Sequence, residues 1–238
     1  MDEFRFAPYD RALTIFSPEG RLLQVEYAKQ AAKSGSTAIG IIATDGVAII
    51  ADKKIPNKLV ISESVEKILK VDDHIIATFA GFIPDGKVLI DSAREIAQQH
   101  KLAYGTDIDL ELLVKEIGIT MELYTRYSGV RPFGVSIMFA GIDKGKTPKL
   151  YALDPSGLYY QYKAYVIGEG EDKILPILEE KYSNMKLNEA IRFGIELLKD
   201  FLKNNFSYER LIIGYIDING KNEIITNTEI KRFYEEQQ

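Results

Sequence analysis

The chain is 238 residues long, 46% hydrophobic and 27% charged, with 30 basic against 35 acidic residues and a formal charge of −5, a composition ordinary for a globular protein large enough to bury most of its surface without staples. It has no cysteine, which excludes disulfides, thiolate metal sites and cysteine nucleophiles and suits a reducing cytoplasm. The acidic balance argues against a nucleic-acid partner, and an acidic start with no apolar run of span length argues against a signal peptide or a membrane.

In chain order, Ser17-Pro18-Glu19-Gly20 is a turn able to open a helix. Leu22, Leu23, Tyr27, Ala28, Ala31 and Ala32 then recur at near-helical spacing up to Ser34-Gly35, so a helix over 17–34 is expected. Its apolar face needs cover, and a neighbouring subunit is the expected cover. Residues 36–43, 46–53, 66–71 and 74–80 read as four strands joined largely by hairpins. Two amphipathic helices follow. Leu89, Ala93, Ile96, Ala97 and His100 share one face of the first, which Pro84 opens, and Leu110, Leu113, Val114, Ile117, Met121 and Tyr124 share one face of the second.

A second strand block runs through 134–142, 149–153, 158–162 and 164–167. The helix expected over 172–182 carries Pro176, which should kink it. Leu187, Ala190, Ile191, Gly194, Ile195, Leu198 and Leu202 make a clean stripe. Strands 210–217 and 223–226 flank Asn219-Gly220, a type I′ hairpin signal, and a short charged helix closes the chain. Strand groups separated by helix pairs predict α+β architecture: one domain over 1–238, built as a four-layer αββα sandwich.

The chemistry is sparse. There is no Gly-x-Ser-x-Gly elbow, phosphate loop or His-Glu-x-x-His helix, and Gly168-Glu169-Gly170 lacks the third glycine of a nucleotide loop. The two histidines, His74 and His100, are too few for a histidine-rich metal site, and as lone residues they are assigned to packing or surface. Neither a metal nor a cofactor is expected. Ser36-Thr37, Asp52 and Lys67 could meet on adjacent strands as hydroxyl nucleophile, carboxylate and lysine activator. Residue types alone fit ordinary strand starts, a solvated Asp52-Lys53-Lys54 strand end and an exposed Lys67 better.

Further motifs are more specific. Phe16-Ser17-Pro18-Glu19-Gly20-Arg21-Leu22-Leu23-Gln24-Val25-Glu26-Tyr27-Ala28, preceded by Tyr9-Asp10-Arg11, resembles the N-terminal signature of proteasome α subunits, most closely the archaeal type. Gly35-Ser36-Thr37-Ala38-Ile39-Gly40, Asp52-Lys53-Lys54, Arg131-Pro132-Phe133-Gly134 and Asp154-Pro155-Ser156-Gly157 recur in the family's order. The likeness spans nearly the whole chain. Glu19 replaces the usual aspartate, and Pro84-Asp85-Gly86-Lys87 departs from the family's segment at the first large helix.

The resemblance implies the N-terminal-nucleophile hydrolase fold with an added N-terminal helix, and a cytoplasmic, non-catalytic subunit of the 20S core particle. Seven identical α subunits would form a ring on the catalytic β subunits, and unfolded protein substrates would pass through it. Residues 1–13 would be the gate, with Tyr9, Asp10, Arg11, Pro18 and Tyr27 holding its open state. Lys67, Leu22 and Gly81 would form a pocket for the C-terminal tails of an activating ATPase. The rival reading is a self-processing amidohydrolase that frees Ser36 or Thr37 as its N-terminal nucleophile, because only a free amine could serve as the base.

Overall fold

The computed structural model describes residues 14–57, 59–226 and 229–231. Its first element is helix α1 (Leu23–Lys33), shorter than the sequence pattern suggests. The reason lies in the preceding turn: the Gly20 amide donates to Ser17 O at 2.8 Å, and Gly20 adopts φ +76°, a left-handed conformation that no α-helix contains. Helix α1 also finds its cover within the chain, contrary to expectation. Leu23, Val25, Ala28 and Ala32 are buried, and the helix lies across two strands of the second sheet described below.

Strands β1 (Ala38–Ala43), β2 (Gly46–Asp52), β8 (Ala164–Ile167), β9 (Leu211–Asp217) and β10 (Asn222–Thr226) form one antiparallel sheet in the order β10-β9-β2-β1-β8. Strands β3 (Ile68–Asp72), β4 (Ile75–Gly81), β5 (Val135–Ile142), β6 (Pro148–Leu153) and β7 (Tyr159–Gln161) form the other in chain order. Period-two alternation assigns the faces. Val47, Ile49 and Ala51 of β2 meet Ile76, Met138 and Leu150 between the sheets, while Ala48 and Ile50 turn outward to the helices. Because both faces are covered, β2 is buried along its whole length.

Helices α2 (Ile83–Tyr104) and α3 (Leu110–Arg126) cover the second sheet, packing Leu89, Ala93, Leu113 and Ile117 on Phe79 and Phe139. Helices α4 (Glu171–Lys181) and α5 (Leu187–Leu202) cover the first. The four-layer αββα sandwich is therefore the observed architecture. Pro176 does not interrupt α4. Tyr124 is 40% exposed, although its ring still meets Phe133 at 4.6 Å. The β9–β10 turn is not type I′: Gly220 N donates to Asp217 O at 3.0 Å and only Gly220, not Asn219, has positive φ, as in a turn that closes on a left-handed glycine. Of the closing charged helix, residues 232–238 lie outside the described residues.

Two helix starts are capped from a distance. Asp45, in the β1–β2 turn, accepts from Leu187 N at 2.7 Å, and Asp143, just after β5, accepts from Leu110 N at 3.1 Å, satisfying amides that each helix leaves orphaned. The Pro84-to-Lys87 departure also has a structural role. A Cβ on Gly86 would meet the Phe79 ring at 2.4 Å, and Asp85 takes both guanidinium nitrogens of Arg131, at 2.6 and 2.8 Å, and Gly134 N at 2.9 Å. Burial pushes the Asp85 carboxyl up, but Arg131 and the Gly134 amide outweigh it and hold the carboxyl below its ordinary range.

The tightest joint follows α1. A Cβ on Gly35 would meet Gly81 N at 2.0 Å and Ala80 C at 2.6 Å, backbone atoms that cannot rotate away. Gly35→Ala should therefore cost at least about 3 kcal/mol, the upper end for overpacking, read as a lower urea midpoint; an unchanged midpoint would contradict this contact.

Candidate functional site

The chain leaves α1 through Ser34 and Gly35 and enters β1 at Ala38, so Ser36 and Thr37 lie between the helix and the strand. The loop after β8 holds this stretch. Glu169 N donates to Gly35 O at 2.8 Å, and Gly170 N to Thr37 Oγ1 at 3.0 Å. Gly168, at φ +92°, approaches so closely that a Cβ would meet the Gly35 and Ser36 carbonyl oxygens at 2.7 Å each. The Gly168-Glu169-Gly170 run thus wraps a neighbouring backbone segment, which is the close approach that glycine allows.

Asp52, Lys53 and Lys67 are all buried, against the solvated strand end and exposed lysine that residue types suggested. Asp52 is committed to Arg210, whose Nε and terminal nitrogen donate to its two oxygens at 2.9 and 2.6 Å, and it also accepts from Lys54 N at 3.1 Å. That fork holds the carboxylate in one orientation. It is closed by β2 and β9 pairing Asp52 with Leu211. Sequence reading missed Arg210, because only the strand order brings it to Asp52 across 158 residues. Lys54 adopts φ 47° while its ammonium pairs with Glu169 at 3.2 Å.

Lys67 stands immediately before β3. Its Nζ donates to Ser36 O at 2.8 Å and also to Phe79 O, and lies 5.5 Å from the Phe79 ring centre. One ammonium therefore ties the segment leading into β1 of the first sheet to β4 of the second. Burial pushes it down to about 7, against Asp52 and Glu169, which pull it up, while Lys54 adds to the fall.

A cleft of about 200 Å³ opens here, bounded by Ser36, Lys53, Lys54, Glu66, Lys67 and Gly81 among others. Lys67 and Gly81 thus share one cleft, whereas half-buried Leu22 does not line it. Pro18 is exposed in the turn before α1. Tyr27 is 51% exposed and borders a separate hollow with Gln24, Phe82 and Arg131. Tyr9, Asp10 and Arg11 lie outside the described residues.

Chemically, the cleft gathers Lys53, Lys54 and Lys67 beside Glu66. The Ser36 nitrogen is a peptide amide and cannot accept a proton. The Thr37 hydroxyl, Asp52 and Lys67 are each engaged in the contacts that hold the strand start.

A family model described as Proteasome subunit matches residues 32–216, and a second, for the N-terminal signature of A-type proteasome subunits, matches residues 9–31. The chain belongs to the proteasome subunit family. Its relatives include proteins named Proteasome subunit alpha from Picrophilus torridus, 45% identical over 94% of this chain and 96% of that protein, and from Thermococcus sibiricus, 42% identical over 97% and 88%. A third, from Methanocaldococcus jannaschii, is 48% identical over 80% of this chain and 73% of that protein. Membership accounts for the αββα layers and for the helix before β1, which the N-terminal signature largely covers. Among the described residues no helix is long and apolar enough to cross a membrane.

The depressed Lys67 fixes a pH dependence. An unfolded lysine keeps its proton to about 10.5, whereas folded Lys67 releases it near 7. Between these values the unfolded state holds more protons, so stability should rise with pH. The slope contributed is up to about 1.4 kcal/mol per pH unit. Urea unfolding from pH 7 to 10 should show Lys67→Met without this contribution; parallel profiles for the two proteins would contradict the burial assignment.

Proposed function

We propose that this chain is a non-catalytic subunit of the outer ring of a 20S proteasome core particle. Seven identical copies would cap rings of β subunits in the cytoplasm, and unfolded proteins would pass through the centre to be cleaved by those β subunits. Residues 1–13 form the gate of that passage, with Tyr9, Asp10, Arg11, Pro18 and Tyr27 holding its open state. The observation that carries this reading is the Ser36 position: its nitrogen is a peptide amide behind helix α1, while Thr37, Asp52 and Lys67 are engaged in holding the fold. The name Proteasome subunit alpha shared by relatives aligned over most of their length supports it.

The Lys67 cleft is the docking pocket for the C-terminal tails of an activating ATPase. Gly81 borders the same cleft, and Leu22 completes the pocket beyond that lining. A tail carboxylate entering a largely dehydrated groove needs a cation, and lysine supplies donors without demanding a planar, bidentate partner. Removing one partner of such a contact costs about 2 to 5 kcal/mol, and losses at several tethered tails compound.

Reconstituted α/β particles provide the test. Lys67→Ala should abolish ATPase-stimulated degradation with the particle intact by native mass. In a particle lacking residues 2–12, peptide hydrolysis should run without the ATPase and be indifferent to Lys67→Ala. Normal stimulation of the mutant would remove Lys67 from docking, and a truncated particle with no rise in basal hydrolysis would remove the gate.

A further inference from the structure

At the opposite end of β3 from Lys67, the β3–β4 turn carries Asp72, Asp73 and His74. The His74 ring is fixed by Nε2, which lies 2.8 Å from Ile108 O. A carbonyl oxygen only accepts, so Nε2 holds the proton of that contact. The other ring nitrogen, Nδ1, then faces Asp72 Oδ2 at 3.7 Å, too far for a hydrogen bond. Both atoms are buried without a hydrogen-bond partner, and the Asp72 side chain is only 5% exposed.

Unpartnered buried polar atoms of this kind call for an explanation, because desolvation without a replacement contact is unfavourable. Two acceptors turned toward each other across such a gap need something positive between them. A third group is at hand. Asp107, from the loop between α2 and α3, brings a carboxylate oxygen such that the three ligand atoms of Asp72, His74 and Asp107 all lie within 4.8 Å of one another.

We propose that Asp72, His74 and Asp107 bind a divalent metal ion of the zinc class. One imidazole nitrogen with two carboxylates suits zinc, cobalt or nickel; calcium and magnesium prefer oxygen-only sets. Three protein ligands leave a fourth position for water. The surrounding contacts are those that a metal site uses to orient its ligands. His74 Nε2 is held by the Ile108 carbonyl, and Asp73 N donates to Asp72 Oδ1 at 2.8 Å, leaving Oδ2 for the ion.

Asp107 already pairs with Lys101 at 3.0 Å, so its carboxylate is turned toward the end of α2 and must share its charge with the ion. The proposed ion would tie the β3–β4 turn to the α2–α3 loop, a structural role separate from Lys67. The histidine count argued only against a histidine-rich site, and this one would use a single histidine.

The test is favoured by composition, since His100 is the only other histidine and packs its ring, tilted, against Tyr104 with centroids 4.7 Å apart. The full-length chain, untagged and stripped with EDTA, would be dialysed against zinc chloride, and bound metal measured. Cobalt chloride would serve as an optical probe. One ion per chain is expected, with a raised thermal midpoint and a visible cobalt spectrum. His74→Gln and Asp107→Asn should each weaken binding at least tenfold, and His100→Gln should leave it unchanged. Asp107 is about half exposed, so its variant remains informative if His74→Gln folds poorly. Substoichiometric binding, or binding unaffected by Asp107→Asn, would overturn the site. So would an Asp72–His74 imidazolium pair, seen by NMR, in a chain that takes up no metal.

Discussion

The peptide bond joining Gly35 to Ser36 constrains everything around it. It carries the chain from α1 into the first sheet through a joint where Gly35 abuts the backbone of Ala80 and Gly81. The same bond makes the Ser36 nitrogen an amide. A fold that could present a free amine at this strand is instead threaded through it, and the adjacent groups act as structure. Lys67 donates to the Ser36 carbonyl, the Gly168–Gly170 loop clamps Gly35 and Thr37, and Arg210 holds Asp52. Freeing Ser36 or Thr37 would remove α1, whose Leu23, Val25, Ala28 and Ala32 are buried. Among the described residues, no contact favours the self-processing reading.

The two sheets supply the rigidity that this joint needs. Their shared core is built from small and branched side chains, and Gly40 allows an especially close approach: a Cβ there would meet Met138 Sδ at 2.5 Å and the Leu150 methyls. Close packing of this kind transmits strain and resists voids. Lys67 lies where both sheets end, so its ammonium fastens one sheet to the other. Its depressed proton affinity follows from that burial, and a docked carboxylate would favour the charged form.

Much of this was legible in the sequence because periodicity survives in single chains. The stripes of α2, α3 and α5, and the apolar runs of β1 and β2, lie in consecutive residues. The signature residues around Pro18 and Tyr27 identified the family for the same reason. What stayed hidden depends on strand order. Asp52 looked solvated because nothing near it in the chain announces Arg210, and Lys67 looked exposed because its acceptors belong to Ser36 and Phe79. Local backbone geometry misled twice. Gly20 at positive φ delays α1, and the turn at Asn219-Gly220 needs a left-handed residue at Gly220 alone. The cover of α1 was assigned to a neighbour because amphipathicity reveals that a face is buried, not by whom.

The central claim is that this strand start is chemically silent. Intact mass spectrometry of the purified chain, combined with a peptide-hydrolysis assay on the same sample, addresses it most directly. The account predicts a mass that retains the residues before Ser36 and no hydrolysis by the chain alone. A mass for a chain beginning at Ser36 or Thr37, with peptidase activity lost on substituting that residue, would contradict it.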